Sequence, residues 1–446
     1  MSKDRNVKIA IIGAGPAGLG AAEALKEKGY NNITIFEKSN RVGGQSYSPK
    51  YKTAEGVELV YDMGSIQPMS SRILRKLIKK NGLKYGRGPF KKKSKLTIAY
   101  QDLAQTEVIN FTKYFFGFPI QKLPLVFLDF LKLFYYLFRY RRLAKPGFYN
   151  FKRLDETTVD FRQWVKDRKF KFLTEILILQ LLSTLTLVNK NNEHKIQLYV
   201  VLKFLYQVFK LPIRYFDGTY RPVREGYQEL WTRIAKKFTV RLSTKIKEIK
   251  RTKDGVVITD DSETQLYDKI FITCPFDKIS SIIDASENEK NNFKSINYNP
   301  GYRGAFLAKK GPKKGIYWFM DSYDNKDGKS YLSLLFPEGK VDEDTYLYSA
   351  CFANCADKSN AVDIIKKSTT NFLQTQFDSE ITEWVKMHYW EDYDAVFDIE
   401  MVKNGVFDKI QNMQGNQNTY YAGQLISSPS HSGVVDYSYE LVDLHF

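Results

Sequence analysis

The sequence predicts an α/β fold in which a Rossmann-like parallel sheet is interrupted by an inserted α+β domain carrying extra apolar helices. Three observations predict it. The first 45 residues run strand, glycine turn, helix, strand, the order of a βαβ unit. Strand patterns return at 240–249, 256–259 and 269–275, the first two joined by a hairpin through Asp254-Gly255. Between 302 and 390 short strands follow one another with one helix among them, the pattern of an antiparallel sheet. These pieces divide the 446 residues into a discontinuous domain, 1–85, 215–280 and 395–446, and an inserted one, 86–214 and 281–394.

The opening unit carries the strongest motif. A β-branched run from Val7 to Ile12 ends in Gly13-Ala14-Gly15-Pro16-Ala17-Gly18. Gly13 permits the tight turn, Gly15 lets backbone approach a pyrophosphate, and Gly18 lets helix and strand pack closely. Pro16 suits the first helical turn, where a missing N–H costs little. The helix from Ala17 to Lys28 offers free N–H groups and a positive dipole end to phosphates. The second strand, Ile33–Phe36, stops at Glu37, nineteen residues past Gly18. A carboxylate at that distance takes ribose hydroxyls. It also repels a 2′-phosphate, so an NADP-type ligand is disfavoured. Lys38 follows, then Arg41-Val42-Gly43-Gly44-Gln45, a second glycine pair beside a cation, able to wrap the pyrophosphate from its other side.

Composition bounds the rest. Apolar residues make up 43% and mean hydropathy is −0.40, as expected for a water-soluble chain long enough for two domains. Met1-Ser2-Lys3-Asp4-Arg5 precedes the first strand with no apolar leader, so a cytoplasmic location is expected. Cys274, Cys351 and Cys355 make no even disulfide framework and fit a reducing compartment. Cys351 and Cys355 lack the C-x-x-C spacing of a redox pair and read as two buried thiols. His194, His388, His431 and His445 show no metal-ligand spacing, so no metal is expected.

Net charge is +18. Most of it lies in residues 72–153, where 20 Lys/Arg stand against 3 Asp/Glu, a surplus of 17. Such a field recruits anionic lipid, nucleic acid or an anionic substrate. Nucleic acid is disfavoured, because the aromatics sit in continuous apolar runs and not in a polar groove.

Along the chain, Val57 to Ser65 reads as a strand with Gly64 near its end, and 72–80 as a basic helix. Lys91-Lys92-Lys93-Ser94-Lys95 follows Gly86, Gly88 and Pro89. From Leu125 to Phe138 only Asp129 and Lys132 are charged, three apart and placed to pair on a helix face. Arg139-Tyr140-Arg141-Arg142 comes next. The run is shorter than the roughly 20 apolar residues of a membrane span. Two readings stay open: a helix lying in a membrane interface, or a buried helix of the inserted domain. Phe172–Val188 and Ile196–Val208 add apolar helical runs, which suggest a layer around an apolar cavity. Asp408 to Gln424 reads as turn and strand ending at Gly423, and Val434–Leu444 as a closing helix. His431 lies in the preceding loop and reads as a solvated histidine, with contact to a cofactor edge as the alternative.

These ends, Gly13 to Gln45 and Tyr420-Tyr421-Ala422-Gly423-Gln424, resemble the FAD-dependent superfamily of amine oxidases, protoporphyrinogen oxidases and phytoene desaturases. Within it, the chain looks most like the short bacterial polyunsaturated fatty acid double-bond isomerases. The resemblance implies a glutathione-reductase-type FAD domain. It implies that Gly64 lets backbone approach the flavin and that Ile246 touches the adenine. The position of Gln424 would meet the ribityl chain, and helix N–H groups near Val434 would face the flavin pyrimidine. The family has Arg where this chain has Gln45, and an acidic residue where it has Gln424. A family pocket phenylalanine falls where this chain has Leu187-Val188.

The implied activity is hydride transfer to flavin N5 from an apolar, fatty-acid-like anion. In the isomerases the hydride returns at another carbon, so the reaction is redox-neutral. Such a site needs aromatic faces for an allylic cation and a cation for the carboxylate. It needs no nucleophile or general base, so no catalytic side chain is assigned. The family's carboxylate-holding Arg follows a Gly-Pro turn; here Gly88-Pro89 places Lys92 or Lys93 nearest, without the bidentate fork. Two alternatives remain: a flavin oxidase or desaturase of amine or polyene substrates, and a membrane- or nucleic-acid-binding protein with structural FAD.

Overall fold

The computed structural model describes residues 4–64, 71–86, 96–99, 108–110, 123–170, 197–209, 223–312, 316–319, 331–352, 359–428 and 430–446. Strand β1 (Ile9–Ile12) leads through the glycine turn into α1 (Pro16–Glu27) and β2 (Ile33–Phe36). The strands pair in parallel, Ile9 beside Ile33 and Ile12 beside Phe36. β1 is buried throughout, as a central parallel strand covered on both faces must be. A short hairpin, Lys50–Lys52 with Glu58–Val60, precedes α2 (Arg72–Lys80). α2 is the expected basic helix. Ser71 caps it, Leu74, Leu77 and Ile78 face inward, and Lys76 and Lys80 pair with Glu23 and Glu27 of α1.

Strands β3 (Leu96–Ala99) and β4 (Val108–Asn110) follow, then helices α3 (Leu123–Arg139), α4 (Leu198–Phe209) and α5 (Tyr227–Ala235). β5 (Thr239–Arg241) returns beside β2. An antiparallel leaf, β6 (Ile246–Thr252), β7 (Gly255–Asp260) and β8 (Thr264–Tyr267), turns first at the expected Asp254-Gly255. β9 (Lys269–Ile272) then lies beside β1. The next stretch holds β10 (Gly301–Lys309), β11 (Ile316–Phe319), β12 (Leu332–Lys340), β13 (Thr345–Phe352), α6 (Ala361–Phe377) and β14 (Glu380–Trp390). β15 (Thr419–Tyr421) and α7 (His431–His445) close the chain.

Two sheets carry the architecture. The parallel one has order β15-β9-β1-β2-β5. The other has order β14-β10-β13-β12-β11-β3-β4. It is antiparallel except where β11 runs parallel to β3. Alternate residues of β10 divide its two faces, as strand pleating requires. Tyr302 and Phe306 pack with Ile365 and Leu373 of α6, while Ala305 and Leu307 pack with Tyr61 and Met63 of the opening segment.

Several expectations change. Much of the stretch read as turn before the last strand is helical: Val406–Met413 buries Val406, Phe407, Ile410 and Met413 at helical spacing. The stretch 86–110 contributes strands to the second sheet. The run around 125–138 is α3, and it is buried along one face only. Leu133 and Leu137 are buried, yet Phe127, Leu128, Leu131, Phe134, Tyr135 and Phe138 are 50–70% exposed. Asp129 and Lys132 pair loosely at 3.9 Å. No described helix is long and apolar enough to cross a membrane. Lys92, Lys93, Gly88, Pro89, the run Phe172–Val188, His194 and Cys355 lie outside the described residues.

Candidate active site and cofactor cradle

The end of β1 is shaped by backbone alone. Gly13 has φ +107°, a conformation L side chains rarely adopt. A Cβ on Gly18 would stand 2.0 Å from the Gly13 carbonyl oxygen, so the turn closes only with glycine there. The Gly43 N–H donates to the Ala14 carbonyl at 2.8 Å. A Cβ on Gly44 would stand 3.1 Å from the Gly15 Cα. The two glycine turns therefore meet backbone to backbone. Gly15 is the N-cap of α1 and offers no side-chain cap, and Pro16 follows it. The N–H groups of Ala17 and Gly18, in a first helical turn, are placed for an anion.

Glu37 ends β2 with its carboxylate already oriented. One oxygen accepts the Ala14 N–H at 2.9 Å; the other accepts the Ser39 N–H at 2.9 Å and hydroxyl at 2.7 Å. Lys38 beside it is exposed. The Arg41 guanidinium stacks 4.3 Å from the Tyr47 ring centroid and 5.9 Å from that of Trp390. Burial lowers its pKa, opposed by Tyr47 and Glu37. Gln45 donates to the Asp392 carbonyl at 3.0 Å. A Cβ on Gly64 would lie 1.9 Å from the Gln45 carbonyl, so this contact alone demands glycine. Ile246 is buried at the start of β6.

A second helix opens on the same side. The Ser438 hydroxyl donates to the Ala17 carbonyl at 3.0 Å, and Tyr30 just past α1 packs on Phe446. α1 and α7 thus run in the same direction, with their positive ends facing the same way. α7 begins three residues earlier than expected, at His431, and Ser430 caps it by accepting the Gly433 N–H at 3.1 Å. This corrects the place of Val434. Its N–H is spent on the Ser430 carbonyl at 3.0 Å, so the first helical turn lies at His431 and Ser432 and not at Val434. His431 is also not a solvated loop residue. Its ring is buried and stacked on Tyr227 at 4.8 Å, and desolvation pushes its pKa down to about 3. Its Nδ1 lies 3.4 Å from the Ser46 hydroxyl, which accepts the Trp231 indole N–H.

The segment after β14 joins these parts. The Trp390 indole donates to the Met63 carbonyl at 2.6 Å. Gln424, beside Gly423 (φ +140°), donates to Asp394 at 2.8 Å, and Asn299 donates to the other Asp394 oxygen at 2.9 Å. Burial raises the Asp394 pKa to about 6 against these two bonds. Arg303 of β10 reaches the same seam, its Nε 3.4 Å from the Gly64 carbonyl. Trp390, Asp394 and Arg303 were not singled out from the sequence. Only Arg303 left a signal: a cation in a strand whose other residues short of the terminal Lys309 are uncharged.

Two touching glycine turns, an oriented strand-end carboxylate and a second helix end on the same side are the arrangement of a dinucleotide-binding fold. The family model of flavin containing amine oxidoreductases matches residues 16–396, and the chain belongs to that family. Its cofactor is FAD.

The polyenoic fatty acid isomerase of Ptilota filicina is 45% identical over 51 residues, 11% of this chain and 10% of that protein. Tryptophan 2-monooxygenase of Rhizobium rhizogenes is 42% identical over 77 residues, 17% of this chain and 10% of that protein. The matched segments thus span about a tenth of these relatives' lengths. A CLA-producing fatty acid isomerase from P. acnes shares the fold over 100% of both chains, with TM-score 0.83 and 22% identity. A putrescine oxidase shares it over 98% of this chain and 97% of its own, with TM-score 0.68 and 16% identity.

Proposed function

We propose that this oxidoreductase acts on an apolar carboxylate of fatty-acid type and that its reaction is redox-neutral double-bond isomerisation. The observation that carries this reading is the likeness in fold to a fatty acid isomerase, complete over both chains and greater than that to putrescine oxidase. Bound FAD supplies an acceptor that can take a hydride from the substrate and return it. The chain's part is to hold and orient. Glu37 and the glycine turns hold the dinucleotide, with Lys38, Arg41 and Gln45 around them. Gln424 is fixed by Asp394, and Ile246 sits where adenine is expected. Lys92 or Lys93 meets the carboxylate. The test is linoleate without oxygen or added acceptor, followed for conjugated diene. Hydrogen peroxide formed in step with substrate loss in air, with no anaerobic product, would instead identify an oxidase.

The substrate reading includes a lipid surface. The stripe Phe127, Leu128, Leu131, Phe134, Tyr135 and Phe138 follows one face of α3, and the other face packs on the core. An apolar stripe this exposed marks an interaction site. The Arg141 guanidinium lies 4.9 Å from the Phe138 ring centroid, and Lys145 is exposed nearby. An anionic bilayer satisfies both features. A second copy meeting stripe to stripe would set these cations against their own counterparts.

A further inference from the structure

Arg303 is a buried cation without a counter-charge. It is 3% exposed, its Nη1 has no hydrogen-bond partner, and it makes no ion pair among the described residues. Among the described residues its hydrogen-bond partners are neutral: the Gly64 carbonyl, by a long bond from Nε, and the Tyr393 side chain. The Tyr393 ring lies 5.6 Å from the guanidinium, and Cys351 is the residue paired with Arg303 on β13. Both neighbours are uncharged near neutral pH: burial raises the tyrosine pKa and pushes the thiol's up to about 11. Asp394, next to Tyr393, gives its two oxygens to Asn299 and Gln424 instead of to the guanidinium. A charge taken out of water without a partner is costly, and proteins retain one where something else completes it. β10 aims this residue away from α6 and toward the seam beside Gly64.

We propose that Arg303 is an oxyanion-binding residue of the loaded enzyme, its planar fork taking two oxygens of an organic carboxylate or of the cofactor. The guanidinium geometry matches that chemistry, since its parallel N–H groups meet a carboxylate or phosphate bidentately. In the carboxylate case the proposal rests on the fatty-acid reading above and adds to it a second anchor, distinct from Lys92 and Lys93. The fatty acid would then be fixed from the inserted sheet, on a rigid strand.

Arg303→Met and Arg303→Lys, purified as holoenzymes, test it. FAD affinity is measured by flavin fluorescence, and flavin absorbance is titrated with oleate, oleyl alcohol and benzoate. In Arg303→Met, oleate binding is expected to weaken by about ten- to a hundredfold, the value of a lost charge-assisted bond, with oleyl alcohol unchanged. A loss of that size in FAD affinity, with oleate unchanged, would assign the oxygens to the cofactor. Benzoate lost by the variant, in an enzyme that ignores oleate, would keep the anion site and discard the lipid reading. The apoprotein of Arg303→Met is expected to melt no lower than wild type, because an apolar replacement removes an uncompensated charge. Should that variant fail to fold, Arg303→Lys decides, since it keeps the charge and loses the fork. Unchanged FAD, oleate and benzoate binding in a folded variant overturns the proposal.

Discussion

The Glu37 carboxylate accepts the backbone N–H of Ala14 at 2.9 Å, across the mouth of the glycine turn. A side chain at the end of one strand is thereby locked to the turn that ends its neighbour. In the proposed cradle the pair would set where a ribose sits relative to a pyrophosphate. Glu37→Arg should break this lock and put a cation where hydroxyls need an acceptor. FAD binding is expected to weaken by at least about tenfold. Purification with full FAD and an unchanged dissociation constant would show that the ribose binds elsewhere.

Two glycines of α1 should respond in opposite ways to the same change. Gly18→Ala drives a Cβ to 2.0 Å from the Gly13 carbonyl and 3.0 Å from an Ile11 methyl. It is expected to cost more than about 3 kcal/mol, with loss of FAD. Gly20→Ala meets only ordinary contacts, 3.6 Å to Ser438 and 3.7 Å to Val435. It is expected to be neutral or to stabilise by up to about 1 kcal/mol, the helix preference of alanine over glycine. Thermal melts of both variants check the pair.

His431 should make the protein acid-sensitive. Its folded pKa, about 3, lies below the ordinary value of 6.5. The unfolded chain therefore takes the proton first. The stability due to burying the neutral ring is fully present above pH 6.5 and is lost as pH falls toward 3, by up to about 1.4 kcal/mol per unit. His431→Phe keeps a ring against Tyr227 and should flatten that slope. Urea midpoints at pH 7 and pH 5 compare the two proteins; equal slopes would trace the acid loss to other groups.

The outer stripe of α3 should bind anionic vesicles. Phe127→Ser, Phe134→Ser and Phe138→Ser together should abolish co-sedimentation with vesicles containing phosphatidylserine and leave the melting temperature nearly unchanged, because all three rings are exposed. Wild-type binding should weaken with salt, since exposed charges are screened over about 8–10 Å at ordinary ionic strength. Equal binding to neutral and anionic vesicles, or none to either, would remove the bilayer. A concentration-dependent dimer lost in the triple variant would show that a second copy covers the stripe.

The sequence by itself determined the paired glycine turns and the strand-end carboxylate. Gly13, Gly15, Gly18 and Glu37 were legible because their reasons are local: a positive φ, a missing Cβ, a strand end at a fixed distance. The basic helix α2, the Asp254-Gly255 turn and the helix α6 were legible for the same kind of reason, a period or a turn residue within a few positions. What only the tertiary structure decided depends on partners far along the chain. Period 2 in β10 separates Arg303 from Tyr302 but does not say which face meets Gly64, 239 residues away. Asp394 reads as one acid among many until Asn299 and Gln424 close on it. Helical spacing could place Val434 near the start of α7, yet the helix begins at His431 because Ser430 caps it and Tyr227 stacks on the ring. In α3 both faces are apolar, so no pattern could tell the buried one from the exposed one. Burial is a property of what packs against a surface, and that is settled only when the chain has folded.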